Sequence, residues 1–148
     1  AEVVSVDAVG APVVSSVEDI ANTRLRFANG CVANITASRI SLKTERKMRI
    51  FQRNTYISID LHNRKLVVAR VGSGKSWFPG LPPIARTETS FAEGDDLKAE
   101  IAGFLDAVAS GHEPLVTGED GRRALETAMK ITESLNANLA LIASLDAS

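Results

Sequence analysis

The residues that first suggest chemistry in this 148-residue chain are Gly72-Ser73-Gly74-Lys75-Ser76, which follow a strand-like run and look like the end of a phosphate-cradling loop. Such a loop wraps phosphate oxygens in backbone N–H groups. It needs a glycine five residues ahead of its Gly-Lys-Ser end and a helix directly behind it. Here Ala69 holds the first place and Trp77-Phe78-Pro79-Gly80 the second, so the stretch reads as a glycine-rich turn. His62 and His112 fall in a turn and behind a helix, with no Cys or carboxylate at metal-ligand spacing, and read as solvated side chains. Serines are plentiful, but no strand-Gly-x-Ser-x-Gly-helix context makes one a nucleophile. Glu119, Asp120, Arg122 and Arg123 open a helix and read as capping and surface charge, because no desolvating pocket is evident around either carboxylate. Three cations remain, Arg39, Lys43 and Arg46, in and beside a mixed-charge connection. The plain expectation is a solvated link. If a second domain stood opposite, these cations would face an anionic substrate group such as a pyrophosphate.

Bulk properties narrow the classes further. Lys and Arg total 17 against 18 Asp and Glu, a formal net charge of −1 with no basic stripe, which argues against nucleic acid or an anionic membrane surface as the main partner. With 45% apolar and 24% charged residues, the chain has the composition of one ordinary globular domain spanning 1–148. A lone Cys31 cannot close an internal disulfide; its place in an alternating run predicts a small buried side chain in a reducing, cytoplasmic setting. No run approaches the roughly 18 consecutive apolar residues of a membrane span. The first ten residues lack the charged start and apolar centre of a signal peptide. Starting on Ala1-Glu2 without Met and passing straight into Val3-Val4-Ser5-Val6, the sequence reads as beginning inside a longer protein.

The elements that must position any site are mostly strands. Glu2 to Val9 is a Val-rich strand ended by Gly10-Ala11-Pro12. Val13 to Asp19 connects it to a five-strand run between Ile20 and Val71. In that run Thr23 to Phe27 and Cys31 to Arg39 form a hairpin about Asn29-Gly30, a turn expected to take positive φ at both residues. Lys47 to Phe51, Tyr56 to Leu61 and Lys65 to Val71 follow, joined by links so short that the strands must be antiparallel neighbours in one meander sheet. Gly72 to Pro83 is a loop, and Ile84 to Phe91 an edge strand. From Asp95 the period changes to 3.6: Leu97, Ile101, Phe104, Leu105 and Val108 line one face of a helix capped by Asp95 and stopped by Gly111. A second helix opens at Thr117 to Asp120 with a partial capping box and runs to about Ala143.

These elements predict an α+β fold with an open-faced, mostly antiparallel sheet and the helices packed on one face. Leu25, Phe27, Met48, Ile50, Ile57, Ile59 and Leu61 should form the core against the helices. The other face carries Val32, Asn34, Thr36 and Ser38, then Phe51, Tyr56 and Ser58, small polar residues punctuated by aromatics. Two helices cannot cover both sides of so wide a sheet, so Phe51 and Tyr56 are candidates for contact with a second copy, a homo-oligomer through the open face.

Three stretches together resemble a known family: Glu18-Asp19-Ile20 with Leu25 to Ala33; Arg46 to Phe51 with Tyr56 to Leu61; and Leu97 to Val108 with Gly111 to Glu126. They are similar to the carboxy-terminal half of the Gfo/Idh/MocA oxidoreductases, the glucose-fructose oxidoreductase and inositol dehydrogenase family, over nearly the whole chain. The most specific piece is Pro114 to Leu125. The resemblance implies a parent in which an amino-terminal Rossmann domain binds NAD or NADP, while this part forms a substrate-side wall for a sugar, polyol or nucleotide sugar and an oligomer surface. The family's Gly-x-Gly-x-x-Gly, Glu-Lys-Pro and Asp-x-x-x-His motifs are absent from the sequence, so no catalytic, cofactor-binding or metal residue carries over. The expectation is that these residues alone hold no dinucleotide and transfer no hydride. The competing expectation is a stand-alone binding or scaffold module that uses the same sheet without catalysis.

Overall fold

The structure, a computed structural model, describes residues 1–72, 76, 80 and 82–146. Its elements run β1 (Val3–Ala11), β2 (Ile20–Phe27), β3 (Val32–Ser38), β4 (Lys47–Gln52), β5 (Thr55–Asp60), β6 (Lys65–Val71), β7 (Ile84–Ser90), α1 (Asp96–Ser110) and α2 (Gly118–Asp146). This is the expected α+β fold with open antiparallel sheets. The chain divides into two compact units, Ala1–Ser41 with Ile101–Ser148, and Leu42–Glu100.

The first unit holds a three-stranded antiparallel sheet in the order β1-β2-β3. Its β2–β3 hairpin closes differently from the expectation. Gly30 has φ of 83° but Asn29 is not in the positive region. Gly30 N–H donates to Phe27 O and Phe27 N–H to Cys31 O, both at 2.9 Å. That is a three-residue loop with glycine at the left-handed position, which widens the turn by one residue. Cys31 consequently leaves the strand and is exposed, not buried as its alternation predicted. The inward face of the sheet carries Ala8, Thr23 and Leu25, which are 1%, 6% and 3% exposed.

Helix α2 packs on β1 and supplies Leu135, itself buried. The approach is close because Gly10 has no side chain: a Cβ there would lie 2.9 Å from Leu135 Cδ2 and 2.8 Å from Ile20 O. Polar groups fasten the same contact. Ala8 N–H donates to Ser134 Oγ at 3.0 Å, and Asn138 Nδ2 donates to Ala8 O at 2.7 Å and to Ser134 O at 3.1 Å. Since β1 is an edge strand, these bonds also protect backbone that would otherwise offer a pairing template.

The second unit is a four-stranded antiparallel meander, β4-β5-β6-β7, with β7 at the edge as expected. Register puts Met48 beside Ile59 and Leu66, and Ile50 beside Ile57 and Val68, on one face. The opposite face carries Lys47, Asp60 and Lys65 in one row and Phe51, Tyr56 and Ala69 in another. The β5–β6 turn is held by Asp60, whose carboxylate accepts from Asn63 N–H at 2.9 Å and Asn63 Nδ2 at 3.0 Å. Arg64, at φ 52°, sends its guanidinium to Ala92 O and Gly94 O just ahead of α1.

Three expectations are corrected. The meander is not one sheet, because β3 and β4 belong to separate sheets. β3 stops where Arg39 N–H turns to Asp19 O at 3.0 Å, and residues 39–46 form no strand. The aliphatic face of the second unit is not a closed core either: none of its described residues is buried, and Met48 and Leu61 are more than half exposed. Leu61 lies past the end of β5 in the Asp60 turn, and Met48 sits on edge strand β4. Finally, the apolar stripe of α1 is exposed from Leu97 to Val108, and the residue that α1 buries is the small Ala107. The helix ends are as expected. Asp95 Oδ1 accepts from Lys98 N–H at 2.9 Å, and Gly111 takes φ 68°.

Candidate functional site

The candidate cations separate when their partners are examined. Arg39 faces a loop, residues 12–19, that is folded around one carboxylate. The Asp19 side chain is 1% exposed. Its Oδ2 accepts from the N–H groups of Val13, Val14 and Ser15 at 2.8, 2.7 and 2.9 Å. Its Oδ1 accepts from Ser15 Oγ and Arg39 Nε, each at 2.9 Å. The N–H groups of Val14, Val13 and Ser15 hold the Asp19 carboxyl far below the usual carboxylate range, against the opposing effect of burial. Arg39 Nη2 donates to Glu18 O at 2.9 Å and Ser15 Oγ at 3.1 Å. Arg39 thus spends most of its donors on its own loop, and an incoming anion would have to compete with Asp19 for them.

Lys43 and Arg46 lie in the second unit, both exposed. Arg46 contributes its carbonyl to Leu61 N–H at 2.8 Å. Nearby, Lys47 Nζ meets Glu45 Oε1 at 3.1 Å and Asp60 Oδ2 at 3.5 Å; the Glu45 hydrogen bond and charge raise the Lys47 pKa. Phe51 and Tyr56 are directly opposed across β4 and β5, with ring centroids 5.0 Å apart and planes tilted by 42°. They share the face that alternation assigned to them, and Phe51 is 77% exposed.

A polar surface that the sequence only half revealed lies on the open face of the first unit. Register aligns Asp7, Arg24 and Asn34 in one row, and Val9, Asn22 and Thr36 in the next. Thr36 Oγ1 donates to Asn22 Oδ1 at 2.8 Å. These residues line a shallow cavity of about 240 Å³. Asn34 and Thr36 were legible from the alternation of β3. Asp7, Asn22 and Arg24 were not singled out, because only strand register brings them alongside; the matching alternation of β1 and β2 was the available signal.

A helix N-terminus offers its free N–H groups to a pyrophosphate, and at each helix start here one of those groups is taken by a capping side chain. In α2, Asp120 N–H donates to Thr117 Oγ1 at 3.1 Å while Asp120 Oδ2 accepts from Thr117 N–H and Oγ1. The Thr117 hydroxyl and N–H, with Arg123, lower the Asp120 pKa to about 2 and keep a fixed negative charge there. In α1 the corresponding place is held by Asp95, with Asp96 beside it. Residues 73–75 of the glycine-rich stretch, and Trp77-Phe78 after it, lie outside the described residues. Among the described residues no cluster of three or more His, Cys, Asp or Glu could hold a metal, and no helix is long and apolar enough to cross a membrane.

No family model matches the chain. It is 37% identical over 139 residues to the UDP-N-acetylglucosamine 3-dehydrogenase of Acidithiobacillus ferrooxidans, a match covering 94% of this chain and 44% of that protein. A solved structure of that dehydrogenase superposes with a TM-score of 0.83 at 36% identity, over 93% of this chain and 43% of the other. Two further structures share the fold. Levoglucosan dehydrogenase in complex with NADH and levoglucosan has a TM-score of 0.74 at 20% identity, covering 93% of this chain and 44% of its own. The aldose-aldose oxidoreductase of Caulobacter crescentus, complexed with glycerol, has a TM-score of 0.67 at 22% identity, covering 90% and 39%. The chain therefore spans less than half the length of the relatives it matches, and its homology is to part of a nucleotide-sugar dehydrogenase.

Proposed function

We propose that this chain is the carboxy-terminal, substrate-side and assembly domain of an NAD(P)-dependent oxidoreductase of the Gfo/Idh/MocA type, acting on a nucleotide sugar or a related sugar or polyol. The observation that carries this reading is the 37% identity over 94% of the chain to a dehydrogenase of UDP-N-acetylglucosamine. Such continuous similarity follows the whole α+β arrangement rather than one motif. In this reading the redox chemistry falls to residues outside this chain, in keeping with the capped, acidic helix starts. What remains for this chain is to bind and orient substrate and to hold copies together.

Within that reading, Lys43 and Arg46 are free to meet an anionic group of a nucleotide sugar, and Arg39 acts mainly through the Asp19 loop. The Phe51–Tyr56 face of the second unit is the surface we assign to a second copy. Phe51, exposed beside a half-buried Tyr56, has large apolar area to gain by burial at little entropic cost. The alternative is a stand-alone binding or scaffold module that uses the same sheet without catalysis.

The experiment that separates the two is to read the source DNA directly upstream of the Ala1 codon and assay the full-length product. Finding Gly-x-Gly-x-x-Gly, Glu-Lys-Pro and Asp-x-x-x-His in frame, with nicotinamide-dependent oxidation of UDP-N-acetylglucosamine or a related sugar, is the expected result. An initiation codon at that point, with none of those motifs, would overturn the parent enzyme and leave the module.

A further inference from the structure

We propose that the outer edge of β7 is an assembly surface on which a second copy of this chain pairs its own β7, antiparallel and centred on Thr87. The first argument is where the backbone groups point. Gly72 N–H donates to Pro83 O at 2.8 Å and Phe91 N–H donates to Arg64 O at 2.9 Å, so the residues flanking β7 bond inward, to the β6 side. Alternation along an antiparallel ladder then sends the N–H and C=O groups of residues 85, 87 and 89 to β6, and those of Ile84, Arg86, Glu88 and Ser90 outward. Among the described residues no strand pairs with that outer side.

Edges of this kind are ordinarily blunted by proline, lysine, a bulge or brevity. β7 has none of these: its seven residues are all exposed and hold an unbroken register against β6. What it carries instead is a self-complementary charge pattern. About a twofold axis at Thr87, Arg86 of one copy stands opposite Glu88 of the second copy, and Glu88 opposite Arg86. Within one copy these two side chains already meet at 2.7 Å on one face of the strand, so the axis sets four charges of alternating sign side by side. Ile84 facing Ser90 and Arg86 facing Glu88, each occurring twice, exchange both of their outward backbone bonds. The other edge of this sheet gives the contrast. Strand β4 carries Lys47 and Arg49 and no acidic residue, so two copies laid along it would repel.

The pairing consumes both edges and leaves neither to template a further copy, so the contact closes on itself. It also reaches the aromatic pair. Arg86 sits beside Ala69, which sits beside Tyr56 and then Phe51, in one row across the sheet. A joined sheet therefore extends that face over both copies. One ladder of this length is small beside the ~1,200–2,000 Å² of a stable interface, so it strengthens an assembly that another contact has already gathered. Its position rests on strand register alone; its persistence rests on the Phe51–Tyr56 contact proposed above.

The test is disulfide trapping in a Cys31→Ser background, which removes the exposed native thiol. In the proposed pairing Thr87 faces Thr87 of the second copy as a non-hydrogen-bonded pair, with Cα atoms about 4.5 Å apart and so within disulfide range. Thr89→Cys is the control, because residue 89 faces Ala85 and its two copies lie about 13 Å apart along the ladder. In a glutathione buffer Thr87→Cys should cross-link about tenfold faster than Thr89→Cys. Adding Glu88→Arg sets like charges against Arg86 and should slow trapping about tenfold, and the exchange of Arg86→Glu with Glu88→Arg should restore it. Arg86→Pro removes an N–H that β7 does not use within its own sheet, and should abolish trapping while leaving the far-UV spectrum unchanged. Should that variant fail to fold, the charge exchange decides. Equal rates for Thr87→Cys and Thr89→Cys, or a rate indifferent to the charge at residue 88, would overturn the pairing. An assembled protein that yields no Thr87→Cys cross-link would also overturn it and leave the face contact standing. A wild-type chain that sediments as a monomer while the Thr87→Cys cross-link forms would keep the ladder and end the Phe51–Tyr56 contact.

Discussion

The packing of α2 on β1 can be tested by a double-mutant cycle at Gly10 and Leu135. Leu135 is 6% exposed and is one of four buried apolar residues among those described, so little else can compensate for its loss. Leu135→Ala removes three carbon groups. At about 0.8 kcal/mol each, the transfer loss is about 2.4 kcal/mol, and the cavity left behind brings the cost to about 3 kcal/mol. Gly10→Ala has the opposite fault. Its new methyl would meet Leu135 Cδ2 at 2.9 Å and Ile20 O at 2.8 Å, closer than carbon atoms tolerate. Such overpacking costs about 1–3 kcal/mol. Combined with Leu135→Ala, the side-chain clash disappears but the Ile20 carbonyl remains. The double variant should therefore be about 1 kcal/mol more stable than the sum of the single losses predicts. Urea unfolding followed by far-UV circular dichroism, with the m-value checked for constancy, measures all four corners. Additivity within about 0.5 kcal/mol would show that Gly10 and Leu135 do not share the contact described.

Three other outcomes follow from the side-chain networks. Asp19→Ala strands three backbone N–H groups and should lower the thermal midpoint clearly more than Arg39→Met, whose guanidinium is half exposed; equal losses in thermal melts would contradict the loop's construction. The Asp120 carboxyl, lowered to about 2, stabilises the start of α2 fully above its unfolded value near 4, and that contribution is lost as pH falls through about 2. A carboxyl-detected NMR titration with its midpoint near 4 would refute this. For the second unit, Phe51→Glu with Tyr56→Glu should convert an assembled protein to monomer in sedimentation velocity. A wild-type chain that stays monomeric at high concentration ends that proposal.

How much of the candidate site could be read without coordinates depends on the range of each interaction. Asn34 and Thr36 were legible because alternation along one strand places them on one face. Asp7 and Arg24 join them only through the pairing of β1 with β2, and Arg39 meets Asp19 across 20 positions of sequence. The sequence reading of Arg39 as a substrate-side cation saw its charge but not its partner. The reading of Cys31 as buried failed on a single turn residue, because the three-residue loop, and not the two-residue one, carried it out of the strand.

By itself the amino-acid order determined the local elements: strands where polarity alternates, α1 between Asp95 and Gly111, α2 from its Thr117–Asp120 box, and the turns at Gly30 and Asn63. Each is set by hydrogen bonds and steric preferences acting within a few residues. Only tertiary structure decided that the strands among the described residues form two sheets, that α2 docks where Gly10 admits Leu135, and that the stripe on α1 and the aliphatic face of β4 to β6 stay open. Hydrophobic patterning says that a face prefers burial, but it is non-directional. Which surface meets which is settled by strand register and close packing between residues distant in the chain.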